Sequence, residues 1–330
     1  MQVITFNSYK GGACRTTTCY NALPYLAQKL GATSDCPILV FDIDLDSMGL
    51  TNIFQAKLSN AEKNKKRTYS AKNLFVEDSP VNHDVRTRRM KSVREDDWYF
   101  SLFDKIGNDL GLSDDGCVLF CGADKNAASI SDDDYLRFAD ASPLLTLLQA
   151  LRNMPPDKQP KAVILDCASG VQMSTVSALK NTDCAVMCMR PTMQFRMGTR
   201  DYLLTQIPGE LKNHRRRKAR RIILLPTAVA QINVSANDPN KANAEKELAS
   251  LKKKTFETIQ YRIIDDIIED DSDLGYELVT DMIDGEVKGI PEIERFKWEE
   301  GLLYTLDEWT EQEKILKRQY ERLADVIIGE

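Results

Sequence analysis

Six short stretches of the chain are almost unbroken in apolar character: VITF at 3–6, ILVFDID at 38–44, CVLFCG at 117–122, AVILD at 162–166, CAVMCM at 184–189 and RIILLP at 221–226. Runs this short, without alternation, read as parallel strands covered by helices on both faces. Between them, apolar positions recur at helical spacing. Thr17–Leu30 places Leu23, Leu26, Ala27 and Leu30 on one face and stops at Gly31, a C-terminal cap. Ser142–Arg152, Ser174–Leu179 and Arg200–Ile207 repeat that pattern. The alternation predicts an α/β fold, a doubly wound and mostly parallel sheet with helices on both faces.

Two regions break the rhythm. Residues 57–100 are rich in Lys, Arg, Asn and Ser, with few apolar residues before Trp98, and read as a polar, basic insertion. Residues 233–258 begin as a polar loop and turn into a charged helix. The chain closes on 311–328, where Ile315, Leu316, Tyr320, Leu323, Val326 and Ile327 form a stripe suited to docking on the sheet. One domain spanning 1–330 accommodates all of this.

Composition narrows the setting. No apolar run reaches about 18 residues, so no membrane-spanning helix is expected. The first residues enter a strand pattern at once, and no secretory leader is expected. Most of the eight cysteines lie inside apolar strand patterns, without C-x-x-C or Cys/His spacing, which reads as buried free thiols in a reducing cytoplasm. A net charge of −6 argues against nucleic-acid binding over the whole surface but leaves room for a local basic patch.

The chemistry concentrates at SYKGGACRTTTCYNAL, residues 8–23, directly after the first strand pattern. A strand, a glycine-containing loop and a helix start make an anion site, because backbone N–H groups converge and the helix dipole favours negative charge. Where a phosphate loop ordinarily ends in Gly-Lys-Ser/Thr, this one has Cys14, Arg15 and Thr16. KGGACRTTT at 10–18 resembles the deviant phosphate loop of the ParA/MinD family of P-loop ATPases, in which an extra lysine opens the motif, and lies nearer to a variant branch reading KGGVGR. ILVFDIDLDSMGLTNIF at 38–54, AVILDCASG at 162–170 and CAVMCMRPTMQFRMGTRDYL at 184–203 resemble the family's later motifs, in the same order.

The resemblance implies ATP and Mg²⁺ as cofactors. It implies nucleotide contacts from Lys10, Gly11, Gly12, Ala13, Cys14, Arg15, Thr16 and Thr17, with Arg15 on the β- and γ-phosphates. It implies Mg²⁺ at Thr16, with Asp42 and Asp166 holding the ion's water shell. Asp44 would orient the attacking water, and Lys10 would reach the partner's nucleotide across a homodimer interface. EVKGIPEIERFKWEE at 286–300 resembles the family's late strand and loop near the base, which makes Pro291 an adenine contact. Cys14 adds a β-carbon where glycine lets the backbone approach phosphate, and Arg15 replaces a compact ammonium with a planar head. Hydrolysis is therefore expected to be slow. The alternative is a nucleotide-held regulatory or scaffold subunit without turnover.

LKNHRRRKARR at 211–221 gathers seven Lys/Arg residues. Its simpler reading is a solvated charged segment, and its sharper one is DNA contact by Lys212–Arg221. The last helix balances Glu311, Glu313, Glu321 and Asp325 against Lys314, Lys317, Arg318 and Arg322, which does not suit a membrane anchor. The expected activity is thus an ATP-driven, homodimeric switch that engages an unidentified partner protein, with DNA as a further ligand.

Overall fold

The computed structural model describes residues 1–57, 71, 103–123, 143–207, 220–231, 240–269, 276–284, 287–293, 302–305 and 310–329. The expected insertion at 57–100, apart from positions 57 and 71, lies outside the described residues, as do 211–219 of the basic cluster.

The six apolar runs become strands: β1 (Gln2–Asn7), β2 (Ile38–Asp42), β4 (Val118–Cys121), β5 (Ala162–Asp166), β6 (Cys184–Met189) and β7 (Arg220–Pro226). Two more join at the edges, β3 (Asp104–Lys105) and β8 (Tyr276–Val279). The sheet runs β3-β4-β2-β5-β1-β6-β7-β8, with only the β3–β4 pair antiparallel. β1 is central, in register with β5 through Phe6–Asp166 and with β6 through Asn7–Met187. A further strand lies at 276–279, and of the 286–300 segment only 287–293 is described. Pro291 there forms an isolated parallel bridge to Val229.

The strands are buried on both sides because their residues alternate between two cores. Ile4, Phe6, Val40 and Ile164 face one side, where α1 (Arg15–Lys29) supplies Leu23 and Leu26. Val3, Leu39, Phe41, Val163 and Leu165 face the other, against Leu144, Leu147, Leu148 and Leu151 of α3 (Pro143–Arg152). Each fully buried leucine contributes about 1.5–3 kcal/mol by leaving water.

The remaining helices are α2 (Gly49–Lys57), α4 (Met173–Asn181), α5 (Met193–Asp201), α6 (Lys241–Ile259), α7 (Asp265–Glu269) and α8 (Glu311–Ile328). α5 runs into a π-helical stretch, Tyr202–Gln206, rather than starting at Arg200 as its periodicity suggests. α8 packs along α1, with Lys29 paired to Asp325 and Tyr25 stacked on Tyr320. Among the described residues no helix is long and apolar enough to cross a membrane.

Candidate functional site

The chain leaves β1 for β2 on one side of the sheet, and β6 lies on the other. The loop after β1 therefore opens at the C-terminal edge of the sheet, where the strand order turns, the place where such sheets bind ligands. The loop is anchored at both ends. Asn7 donates to the Tyr202 hydroxyl at 3.0 Å, and that hydroxyl donates to the Gly170 carbonyl at 2.9 Å. Gly170 N–H in turn donates to Ser8 O at 2.8 Å. At the far end Thr227 Oγ1 donates to Ala13 O at 2.7 Å.

Between these anchors Lys10, Gly11 and Gly12 are exposed, and Cys14 adopts φ 53°, ψ 27°. This left-handed conformation is what glycine normally supplies, so the cysteine is held there against its own steric preference. α1 then starts with no side-chain cap and no acidic residue in its first turn. Its first N–H groups thus remain donors for an outside anion.

Behind the loop lies a compact carboxylate cluster. Arg15 is only 8% exposed. Its Nε donates to Asp166 Oδ1 at 3.0 Å and its Nη2 to Asp44 Oδ2 at 2.5 Å. Thr16 Oγ1 donates to Asp166 Oδ2 at 2.8 Å. Asp44 Oδ1 accepts from Ser47 N–H at 3.0 Å. Asp42 accepts from Thr51 N–H and Oγ1 at 2.8 and 2.7 Å, and from Asp44 N–H at 3.2 Å. Burial works against the Arg15 charge, yet Asp166 and Asp44 outweigh it and keep the guanidinium more firmly protonated than in water. Burial, then the charge of Asp166, pushes the Asp42 carboxyl up to about 7, against the pull of its Thr51 bonds.

These contacts bear on the expected metal. Thr16 gives its proton to Asp166, so its lone pairs stay available to a cation. Both oxygens of Asp42, Asp44 and Asp166, however, already accept hydrogen bonds, and a guanidinium bridges two of these carboxylates. Among the described residues no three His, Cys, Asp or Glu side chains group as metal ligands. As arranged, Arg15 supplies the countercharge of Asp44 and Asp166, so a divalent ion there would compete with a tethered guanidinium.

The sequence signals therefore divide. Arg15, Thr16, Asp44 and Asp166 meet directly. Asp42 is one layer deeper, tied to α2. Thr17 and Lys10 are exposed at the rim. Pro291 is buried, and its bridge partner Val229 lines a cavity of about 630 Å³ with Gln231, Lys252, Phe256, Lys288 and Ile315. Thr51, Tyr202 and Thr227 organise the site without having been singled out. So does Gly49, where a β-carbon would come within 2.8 Å of Thr16 Cγ2. In the basic cluster, Arg220 donates to Lys180 O, and Arg221 donates to Val326 O and Ile327 O.

A phosphate-type loop after a central parallel strand, with acidic strand ends behind it, defines a P-loop NTPase fold of the ParA/MinD type. Solved structures agree. A pNOB8 ParA bound to nonspecific DNA superposes with a TM-score of 0.54 at 16% identity, covering 99% of this chain and 97% of that one. An ATP complex of a Cyanothece McdA variant gives 0.53 at 14% identity, covering 100% and 96%. The MinC:MinD cell division complex of Aquifex aeolicus gives 0.50 at 16%, covering 100% and 97%. No protein-family model and no curated protein matches the sequence.

Proposed function

We propose that this chain is an ATP-binding switch of the ParA/MinD type, with slow hydrolysis, that closes into a homodimer around its nucleotide. One observation carries the reading: an uncapped helix start meets a glycine loop with an exposed Lys10, at the edge of a sheet built like that of an ATP-bound McdA. The triphosphate would lie on residues 10–17. The cavity beside Pro291 would take the base, since Thr227 joins that side of the sheet to the loop.

The homodimer finds support in the surface around Lys10. Met193, Met197 and Val171 are large apolar side chains left 73%, 39% and 49% exposed. Val171 follows the Gly170 that bonds the loop, and Met193 and Met197 lie on α5, whose Gly198 underlies the Tyr9 ring. ATP drives closure only by binding the dimer better than the monomer, and Lys10 reaching the partner's nucleotide would supply that difference.

Magnesium is the expectation the contacts support least, since a guanidinium already neutralises Asp44 and Asp166. Slow hydrolysis, and the alternative of a scaffold without turnover, draw on the pairing of Asp44 with Arg15, which competes with orienting a water. A partner protein and DNA belong to the proposal too, since on this fold the pNOB8 ParA is bound to nonspecific DNA and the Aquifex MinD to MinC. Any DNA contact would fall to Lys212–Lys218, because Arg220 and Arg221 are engaged with backbone carbonyls.

The test is molar mass by light scattering with and without ATP, alongside phosphate release, for wild type, Lys10→Ala and Asp44→Ala. The expected result is an ATP-dependent dimer that Lys10→Ala abolishes, and a low rate that Asp44→Ala removes. A wild type that stays monomeric in every nucleotide state sinks the switch.

A further inference from the structure

We infer that Arg15 is the resident cation of this site, doing for a bound polyphosphate what a divalent ion does elsewhere, so that ATP binds here with little dependence on divalent metal. The inference rests on the reading of residues 10–17 as a nucleotide site. A divalent ion in such a site joins phosphate oxygens to protein carboxylates and screens one set of negative charges from the other. Arg15 already does half of this. Its Nε and Nη2 hold Asp166 and Asp44 at 3.0 and 2.5 Å, within a pocket that leaves the residue 8% exposed.

A guanidinium has five N–H donors in a planar fork, so its other N–H groups remain for an anion when one edge is engaged by carboxylates. A lysine ammonium at the same position is a compact point charge and cannot span both sets of oxygens. The position of Arg15 favours the bridging role, since it is the first residue of α1 and its backbone belongs to the helix start that faces the loop. A free ion would have to displace a cation tethered to the chain, whose effective concentration is of order millimolar or higher. The neighbouring contacts hold the carboxylates for Arg15: Ser47 N–H fixes Asp44 and Thr16 fixes Asp166. The same pairing keeps Asp44 engaged, in accord with slow turnover.

The test is equilibrium binding of the β,γ-imido analogue of ATP, measured by calorimetry in magnesium and again in excess chelator, for wild type, Arg15→Lys and Asp44→Asn. Wild type is expected to change by less than about threefold between the two conditions, and Arg15→Lys to weaken by about tenfold or more in chelator. Asp44→Asn leaves Arg15 held by Asp166 alone and is expected to shift binding equally in the two conditions, while an unfolding midpoint like that of wild type shows that Arg15→Lys is folded. A wild type that loses about tenfold or more in chelator overturns the inference while leaving the nucleotide reading intact. Failure of wild type to bind the analogue under either condition removes both.

Discussion

Thr227 Oγ1 donates to the carbonyl oxygen of Ala13 at 2.7 Å, and both residues are buried. This bond fastens the glycine loop after β1 to the end of β7, where the candidate base cavity begins. Thr227→Val keeps the shape but leaves the Ala13 carbonyl unpaired, a loss of about 1–3 kcal/mol. Urea unfolding should show that loss, and affinity for the ATP analogue should fall with it. Thr227→Ser, which keeps the hydroxyl, should restore both. Unchanged affinity in Thr227→Val would mean that the loop holds its shape without this anchor.

Gly198 lies so close to Tyr9 that a β-carbon there would overlap ring atom Cε1. The Tyr9 ring also packs at 6.3 Å from Tyr202, so it is clasped between α5 and the π-helical stretch. Gly198→Ala should push the half-buried ring out of this clasp with a stability loss of about 1 kcal/mol. Its larger expected effect is on the ATP-dependent dimer, since Lys10 follows directly. A double-mutant cycle decides this: Tyr9→Ala combined with Gly198→Ala should dimerise no worse than Tyr9→Ala alone. Additive losses would place the effect of Gly198 elsewhere.

The central strands were legible because they are buried on both faces, which leaves unbroken apolar runs such as AVILD and CAVMCM. β3 and β8 were not, since edge strands of two and four residues carry too little pattern. The loop motif located Arg15 and Thr16 by resemblance, and the motifs at 38–54 and 162–170 located Asp44 and Asp166, but no pattern encodes that Arg15 points back to the carboxylates. That follows from side-chain length and charge in three dimensions. Thr51 was missed because its bond to Asp42 depends on how α2 folds back over β2. One local signal went unread: Thr310 and Glu313 form a reciprocal capping box at the start of α8, which the spacing T-x-x-E announces.

Cys14 offers a direct probe of the loop. Cys14 and Cys36 are partly accessible, while Cys19, Cys117, Cys121, Cys167, Cys184 and Cys188 are buried. Burial pushes Cys117 up to about 11 and Cys184 up to about 12, so these thiols stay protonated and unreactive at pH 8. An aromatic disulfide reagent should therefore titrate Cys14 and Cys36 first and reach the others only on unfolding. Saturating ATP should protect Cys14 and leave Cys36 unchanged. Equal reactivity of Cys14 with and without ATP would take the phosphates away from this loop.

Arg221 separates structural charge from binding charge in the basic cluster. Its Nη2 and Nη1 donate to Val326 O at 2.9 Å and Ile327 O at 3.3 Å, capping the C-terminal carbonyls of α8 with a cation. Those carbonyls have no partners within the helix, and the helix dipole places negative charge there. Arg221→Ala should therefore cost about 1–2 kcal/mol of stability, read by denaturant unfolding. It should leave duplex DNA binding by the folded protein unchanged, because the guanidinium is committed to α8. Replacing Lys212, Arg215, Arg216, Arg217 and Lys218 by alanine is the complementary experiment. If they hold DNA, the salt dependence of binding flattens in proportion to the number of phosphates no longer neutralised, while stability hardly moves. A DNA defect in Arg221→Ala with normal stability would reverse the assignment and put that side chain on the DNA.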